Sequence, residues 1–303
     1  MRTALQKKCA DKHFATGIAT AGLILTGQLV YLQFATPQLQ TPPNTGFDFP
    51  KEGILVEVDN DLGHEQTEIE IKVALIGDSI IEGLGSDSHE ETIGGQTALA
   101  LMRLYHRPVR YWSFGKAGLT AGEIEKEIVP LFQDFTKKID FDVVILSCGT
   151  NNLFRAKSWV SLDYSFRDEF QSLLDSIENS KLGSNVPIIV LGQFDLIKIP
   201  LLPFPLNMFL GHGSSKIHKA MEDSLKSRSS KRAMALTKMP SIQRLTKNAN
   251  NPLLKHIPSN VREKLQIKDF FSDDGFHPAD FGTVLLGQQI ALLFKEIKST
   301  DEY

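Results

Sequence analysis

Ser79 stands in "KVALIGDSIIEGLG" (Lys72–Gly85), where an apolar run, Val73–Ile76, gives way to Gly77-Asp78-Ser79. A serine becomes a nucleophile only when a base takes its proton and an acid orients that base. Candidates for both stand near the other end of the chain, in "FFSDDGFHPADFG", where Asp274 and His277 are three residues apart. At that spacing a turn lets the carboxylate hold one imidazole nitrogen while the other faces outward. Acyl transfer also needs donors for the oxyanion of its tetrahedral intermediate. "SFGKAGLTAGEI" offers the backbone N–H of Gly118, and "LSCGTNNLF" offers the side-chain amide of Asn151. Each fragment has a plainer reading as well. Gly-Asp-Ser is also a turn or a helix N-cap, Asp274 and His277 an ordinary loop pair, Gly118 a turn residue and Asn151 a capping residue.

The elements that must position these groups follow from hydrophobic periodicity. Short β-branched runs at Ile69–Ile76, Val109–Phe114, Val143–Ser147 and Val186–Leu191, with a weaker one at Arg232–Thr237, predict strands. Helical spacing covers Thr92–Tyr105, Thr120–Phe135, Tyr164–Ile177, Ser214–Lys226 and Ala279–Ile297. Strand and helix alternate, and the strands are continuously apolar, which predicts a parallel sheet covered on both faces. In such sheets function gathers beyond the carboxyl ends of the strands. "GDS", "GKAG", "CGTNN" and "GQFDL" follow the first four strands in turn. At Ser79 the start of the next helix would add the positive end of its dipole, which favours developing negative charge.

Taken together, Gly-Asp-Ser after the first core strand, Gly118 in "GKAGLTA", Gly149-Thr150-Asn151-Asn152 after the third and "DGFHP" near the end resemble the SGNH (GDSL-type) hydrolase family. The motifs occur in the family's order, and the resemblance spans about Lys72 to Phe294. It implies a flavodoxin-like three-layer α/β/α sandwich with a parallel sheet. It also implies serine esterase activity through an acyl-enzyme intermediate. Ser79 is then the nucleophile, His277 the general base and acid, and Asp274 its orienter. The backbone N–H groups of Ser79 and Gly118 and the amide of Asn151 form the oxyanion hole. One departure is Asn152, where the family commonly has Asp. The oxyanion donor is the preceding asparagine, so this puts little of the activity in doubt.

Other chemistries fit less well. No Gly-x-Ser-x-Gly elbow of the α/β-hydrolase kind occurs, and "GDSIIEGLG" lacks the Gly-Lys-Ser/Thr ending of a phosphate-binding loop. No HExxH or clustered Cys/His set is present, and the inferred reaction requires neither metal nor cofactor. A formal charge of −3 without a long basic block gives no nucleic-acid footprint. Two cysteines, Cys9 and Cys148, are too few for a disulfide framework, and Cys148 is expected as a packed thiol.

The N-terminus predicts a membrane anchor. A basic stretch, residues 1–13, precedes Phe14–Phe34, an apolar run of 21 residues that includes Gln28, Gln33 and three threonines. About 20 residues suffice to cross the hydrocarbon core. The positive flank keeps residues 1–13 cytoplasmic and sends the remainder outward, to the periplasm or the extracellular space. A cleaved signal peptide, releasing a secreted enzyme, is the competing reading. Residues 35–52 then form a proline-rich spacer and 53–303 the hydrolase domain.

The resemblance implies an ester substrate of small-molecule, glycan or lipid type. Short acyl esters, such as acetylated glycans, are the first reading. A lysophospholipase or lipase is the second, and a catalytically silent binding domain the third. The second draws on Gly192–Gly213, an apolar segment expected to hang near the active-site mouth, either lining an acyl pocket, facing lipid or folding back on neighbouring helices. The insertion Ser241–Lys268 is expected to be a lid or plain surface.

Overall fold

A computed structural model of the protein describes residues 51–55, 70–156, 158–183, 185–199, 202–228, 233–237, 259–262, 264–278 and 281–300, with Gln28, Leu253 and Ile257 singly. Six strands form one sheet: β1 (Lys51–Leu55), β2 (Ile71–Gly77), β3 (Val109–Gly115), β4 (Val143–Ser147), β5 (Ile188–Val190) and β6 (Met234–Leu236). Their spatial order is β1-β3-β2-β4-β5-β6. β1 lies antiparallel to β3, and every other neighbouring pair is parallel. Renumbered among themselves, the five parallel strands run 2-1-3-4-5, the doubly wound flavodoxin order.

All five runs expected as strands pair in this sheet. β1 was not expected, and it straddles the boundary drawn at residue 53 between spacer and domain. Its antiparallel pairing makes the sheet mixed at one edge rather than wholly parallel. The expected N-terminal tail, the anchor 14–34 and residues 35–50 of the spacer lie outside the described residues, Gln28 excepted. Among the described residues no helix is long and apolar enough to cross a membrane.

The helices are α1 (Ser79–Glu82), α2 (Ile93–Tyr105), α3 (Ala121–Glu127), α4 (Val129–Phe135), α5 (Thr150–Phe154), α6 (Leu162–Glu178), α7 (Leu206–Ser227), α8 (Ser259–Arg262) and α9 (Phe281–Thr300). Single 3-10 turns cover Leu196–Lys198 and Ile267–Phe270. The helix expected over Thr120–Phe135 is two. Thr120 starts α3 with a reciprocal capping box to Glu123, and Ile128 ends α3 and begins α4. Pro130, in the first turn of α4, has no N–H to donate back to the preceding turn, so a single ladder cannot run through.

Side chains alternate along each strand between two cores. Ala74, Ile76, Val144, Leu146, Ile188 and Val190 pack with α3, α4, α6 and α7. Val73, Leu75, Val143, Ile145 and Ile189 pack with α2 and α9 on the other face. Both faces are therefore covered, giving three layers. Each fully buried large apolar side chain contributes about 1.5–3 kcal/mol, so the carboxyl ends of the central strands form a rigid platform. Cys148, just past β4, is buried as expected, and burial pushes its thiol well above the ordinary range.

Candidate active site

β2 ends at Gly77 because nothing larger fits there. A Cβ at Gly77 would stand 2.8 Å from the Ile81 side chain and 3.0 Å from that of Ser147. Asp78 then caps α1, its Oδ1 accepting from the Ile80 N–H at 3.2 Å and from the Ser147 hydroxyl at 3.0 Å. Burial raises the Asp78 carboxyl, while those two hydrogen bonds draw it down. From below, Gly115 of β3 packs directly against the backbone of Ile81 and Glu82, and the Ser113 hydroxyl donates to the Ile81 carbonyl at 2.6 Å. Gly83, at φ 83°, ends the helix after one turn. So short a helix has little macrodipole, and the electrostatic help expected at Ser79 from that source is correspondingly small. What α1 supplies instead is a fixed direction for the serine.

That direction is toward His277. The Ser79 Oγ lies 3.0 Å from His277 Nε2, and His277 Nδ1 lies 2.6 Å from Asp274 Oδ2. Both partners are shielded: the His277 side chain is 15% exposed and that of Asp274 only 4%. Burial alone would raise the Asp274 carboxyl. Its hydrogen bond to and charge attraction for His277, with donors from Ser272 Oγ and the His277 N–H, outweigh that and bring it down to about 2. Asp274 Oδ1 collects the Ser272 hydroxyl at 2.7 Å and the backbone N–H groups of Phe276 and His277 at 2.8 and 2.9 Å. The Asp274–His277 turn thus locks the carboxylate first, and the carboxylate locks the imidazole with Nδ1 donating and Nε2 open to accept from Ser79.

Ser79, Gly118, Asn151 and His277 line one cleft of about 250 Å³, with Leu84, Phe154, Phe194 and Phe276 among its apolar walls. Gly118 has φ 81°, a left-handed conformation that a glycine adopts without strain. One N–H of the Asn151 amide donates to the Leu119 carbonyl at 3.0 Å, which fixes the plane of the amide and leaves its second N–H for the cleft. All five residues singled out in the sequence therefore come together, from four separate loops.

The sequence profile described as GDSL-like lipase/acylhydrolase matches residues 73–290 of this chain. The chain belongs to this family. No curated protein matches the sequence significantly. Among solved structures, the lipase Lip_vut3 from a goat rumen metagenome is similar at 16% identity and TM-score 0.51, covering 73% of this chain and 96% of its own. A carbohydrate esterase family 3 protein from Talaromyces cellulolyticus matches at 15% identity and TM-score 0.47, over 76% of this chain and 99% of its own. An acetyl xylan esterase variant from Geobacillus stearothermophilus matches at 17% identity and TM-score 0.43, over 74% and 94%. At such identities the likeness speaks to the fold alone. As a GDSL-like hydrolase, the protein is a serine hydrolase of ester bonds.

Several groups around the site of this GDSL-like hydrolase left no mark in the sequence reading. Glu82 Oε2 accepts from the Ala117 N–H at 2.7 Å, tying the loop of Gly118 to the helix of Ser79. Asn152, the departure from the family pattern, is buried; its Oδ1 accepts from the Ala121 N–H at 2.9 Å and its Nδ2 donates to Glu169 Oε2 at 2.7 Å. Glu169 Oε2 also accepts from the Gly122 N–H at 3.1 Å. An asparagine suits that position because its neighbour is a carboxylate. Nothing in local spacing could have paired residues 17 apart on different elements.

The apolar segment Gly192–Gly213 resolves into parts. Phe194 lines the cleft, Leu202, Leu206 and Leu210 are buried, and Phe204, Met208 and Phe209 are exposed. More than a third of it is not loop at all, since α7 begins at Leu206, eight residues before the helix expected at Ser214. Most of the 241–268 insertion lies outside the described residues, which include α8 and the start of the turn from Ile267.

Proposed function

We propose that Ser79 attacks the carbonyl carbon of a short-chain carboxylic ester, outside the cytoplasm, in an enzyme held at the membrane by residues 14–34. His277 Nε2 takes the Ser79 proton as the bond forms. Asp274 holds the imidazole in the required tautomer and balances the charge that develops on it. The N–H groups of Ser79 and Gly118 and the Asn151 amide receive the oxyanion. Collapse of the tetrahedral intermediate expels the alcohol, which leaves with the proton from His277. A water molecule then gives its proton to His277, attacks the acyl-enzyme and releases the acid, restoring Ser79.

The observation that carries this reading is the unbroken relay from Ser79 Oγ to His277 to Asp274, at 3.0 and 2.6 Å. The same relay weighs against a silent binding domain, which has no need of a serine aligned with a base. A cleft of about 250 Å³ with aromatic walls favours a small acyl group. A lipase-type reading draws support from the exposed apolar side chains near the cleft. The test is hydrolysis of p-nitrophenyl esters from acetate to long chain by the full chain in detergent, with Ser79→Ala as control. Acetate should be preferred, and activity and fluorophosphonate labelling should both vanish in the variant. A preference for long chains would select the lipase. No hydrolysis of any ester, with no labelling of Ser79, would sink the catalytic assignment.

A further inference from the structure

Among the described residues, seven of the nine exposed large hydrophobic side chains fall between residues 154 and 209. Contacts gather six of them around the first turns of α7. Phe204 precedes the helix, and Met208 and Phe209 stand on its first turn. The Ile197 side chain lies against Gly211, and its carbonyl accepts from the Asn207 amide at 2.9 Å. The Trp159 ring, next to Val160, packs against Phe209 with centroids 4.1 Å apart and planes tilted by 52°, and lies over Gly213. Leu153 meets the same glycine, and its neighbour Phe154 lines the active-site cleft. Val160 is 85% exposed and Phe204 73%. A cluster of exposed apolar side chains of this kind, joined to the rim of a catalytic cleft through the buried Leu153, marks a docking face.

One contact indicates what that face meets. Gln28 Nε2 donates to the Phe204 carbonyl at 2.9 Å. Gln28 belongs to the apolar run Phe14–Phe34, six residues before its outer end. In the anchored reading proposed above, this contact brings Phe204 to the outer lipid–water boundary, where apolar faces sink about 5–10 Å into the surface, and a glutamine within an apolar run gains from a carbonyl partner there.

We infer that the catalytic domain docks on the lipid surface through the patch around Phe204, Met208, Phe209, Trp159 and Val160, with the Phe154 rim of the cleft at the lipid–water boundary. The inference rests on the membrane-anchored reading above. It brings esters of amphiphiles lying in that surface within reach of Ser79, in addition to small soluble esters.

The protein carries its own probe. Its two tryptophans are Trp159, in the patch, and Trp112, buried in the sheet at 4% exposure. The full chain is reconstituted in phosphatidylcholine vesicles, plain or brominated high on the acyl chains. Flotation first reads whether it is membrane-bound. Bromination should then remove at least about half of the Trp159 share of the emission, as a ring at interfacial depth requires. That share is identified by its loss in Trp159→Phe. Val160→Asp, at a position too exposed to disturb folding, should restore the emission and leave p-nitrophenyl acetate hydrolysis unchanged. A protein that floats but is not quenched overturns the inference and spares the anchor. In that case shielding of Trp159 from aqueous iodide assigns the patch to the chain's own apolar run or to a second copy, and accessibility assigns it to water. A protein that does not float overturns both readings. Loss of acetate hydrolysis is a separate matter and bears only on the esterase assignment.

Discussion

Replacing Asn152 by Asp, the residue common in the family, should destabilise this chain in a pH-dependent way. The change turns the donor that faces Glu169 Oε2 at 2.7 Å into an acceptor. Two charged carboxylates at that separation repel by about 6 kcal/mol at an effective dielectric of about 20. The less costly escape is for the pair to bind one proton, which also restores the hydrogen bond. Protonating a carboxyl that ordinarily titrates near 4 costs about 5 kcal/mol at pH 8 and about 1 at pH 5. The folded variant therefore carries a proton that its unfolded chain lacks, and its stability falls as pH rises from about 5 to 8. Urea unfolding followed by tryptophan emission should give Asn152→Asp a deficit against the parent of up to about 5 kcal/mol at pH 8 and about 1 at pH 5. Adding Glu169→Gln should remove part of the deficit at pH 8, because the introduced amide nitrogen donates to the introduced carboxylate, at the expense of the bond that Oε2 accepts from the Gly122 N–H. Equal midpoints for parent and Asn152→Asp at pH 8 would refute the argument. So would a deficit that ignores pH, or a double variant no better than the single one.

Asn151→Ala removes one oxyanion donor and should lower kcat by about 10²–10³ with KM little changed, as steady-state hydrolysis of p-nitrophenyl acetate will read. Asp274→Asn should lower kcat by about 10³–10⁴ while leaving Ser79 in place, since the imidazole loses its tautomer and its counter-charge. The same substitution tests acid stability. Asp274 is held at about 2 against an ordinary 3.8, so the parent should lose about 2 kcal/mol as pH falls from about 4 to 2, a loss absent from Asp274→Asn. Gly115→Ala puts a methyl into the backbone of α1 and should cost about 1–3 kcal/mol in unfolding. Fluorophosphonate labelling should drop with it while far-UV circular dichroism stays near the parent's.

Some of this protein is written in short stretches of its sequence. The runs that became β2, β3, β4 and β5 are apolar on both alternations because each strand is covered on both faces, so their identity as buried parallel strands was legible. Gly77-Asp78-Ser79 and the Asp274–His277 turn were legible too, since a strand terminus, an N-cap and an i,i+3 carboxylate–imidazole bond are all local. Their order along the chain named the family. β1 was not legible: Lys51–Leu55 is short, and it becomes a strand only because the edge of β3 stands ready to pair with it. The start of α7 hid in a proline-rich apolar stretch that reads as loop until Leu206 and Leu210 find a core to fill. Only the tertiary structure decided that Ser79 and His277, 198 residues apart, meet at 3.0 Å, that Asn152 faces Glu169, and that Phe204, Met208 and Phe209 face outward. Sequence periodicity reports whether a side chain is covered, because covering follows from repeat length; which partner covers it depends on how the strands are ordered, and that order is a property of the whole sheet.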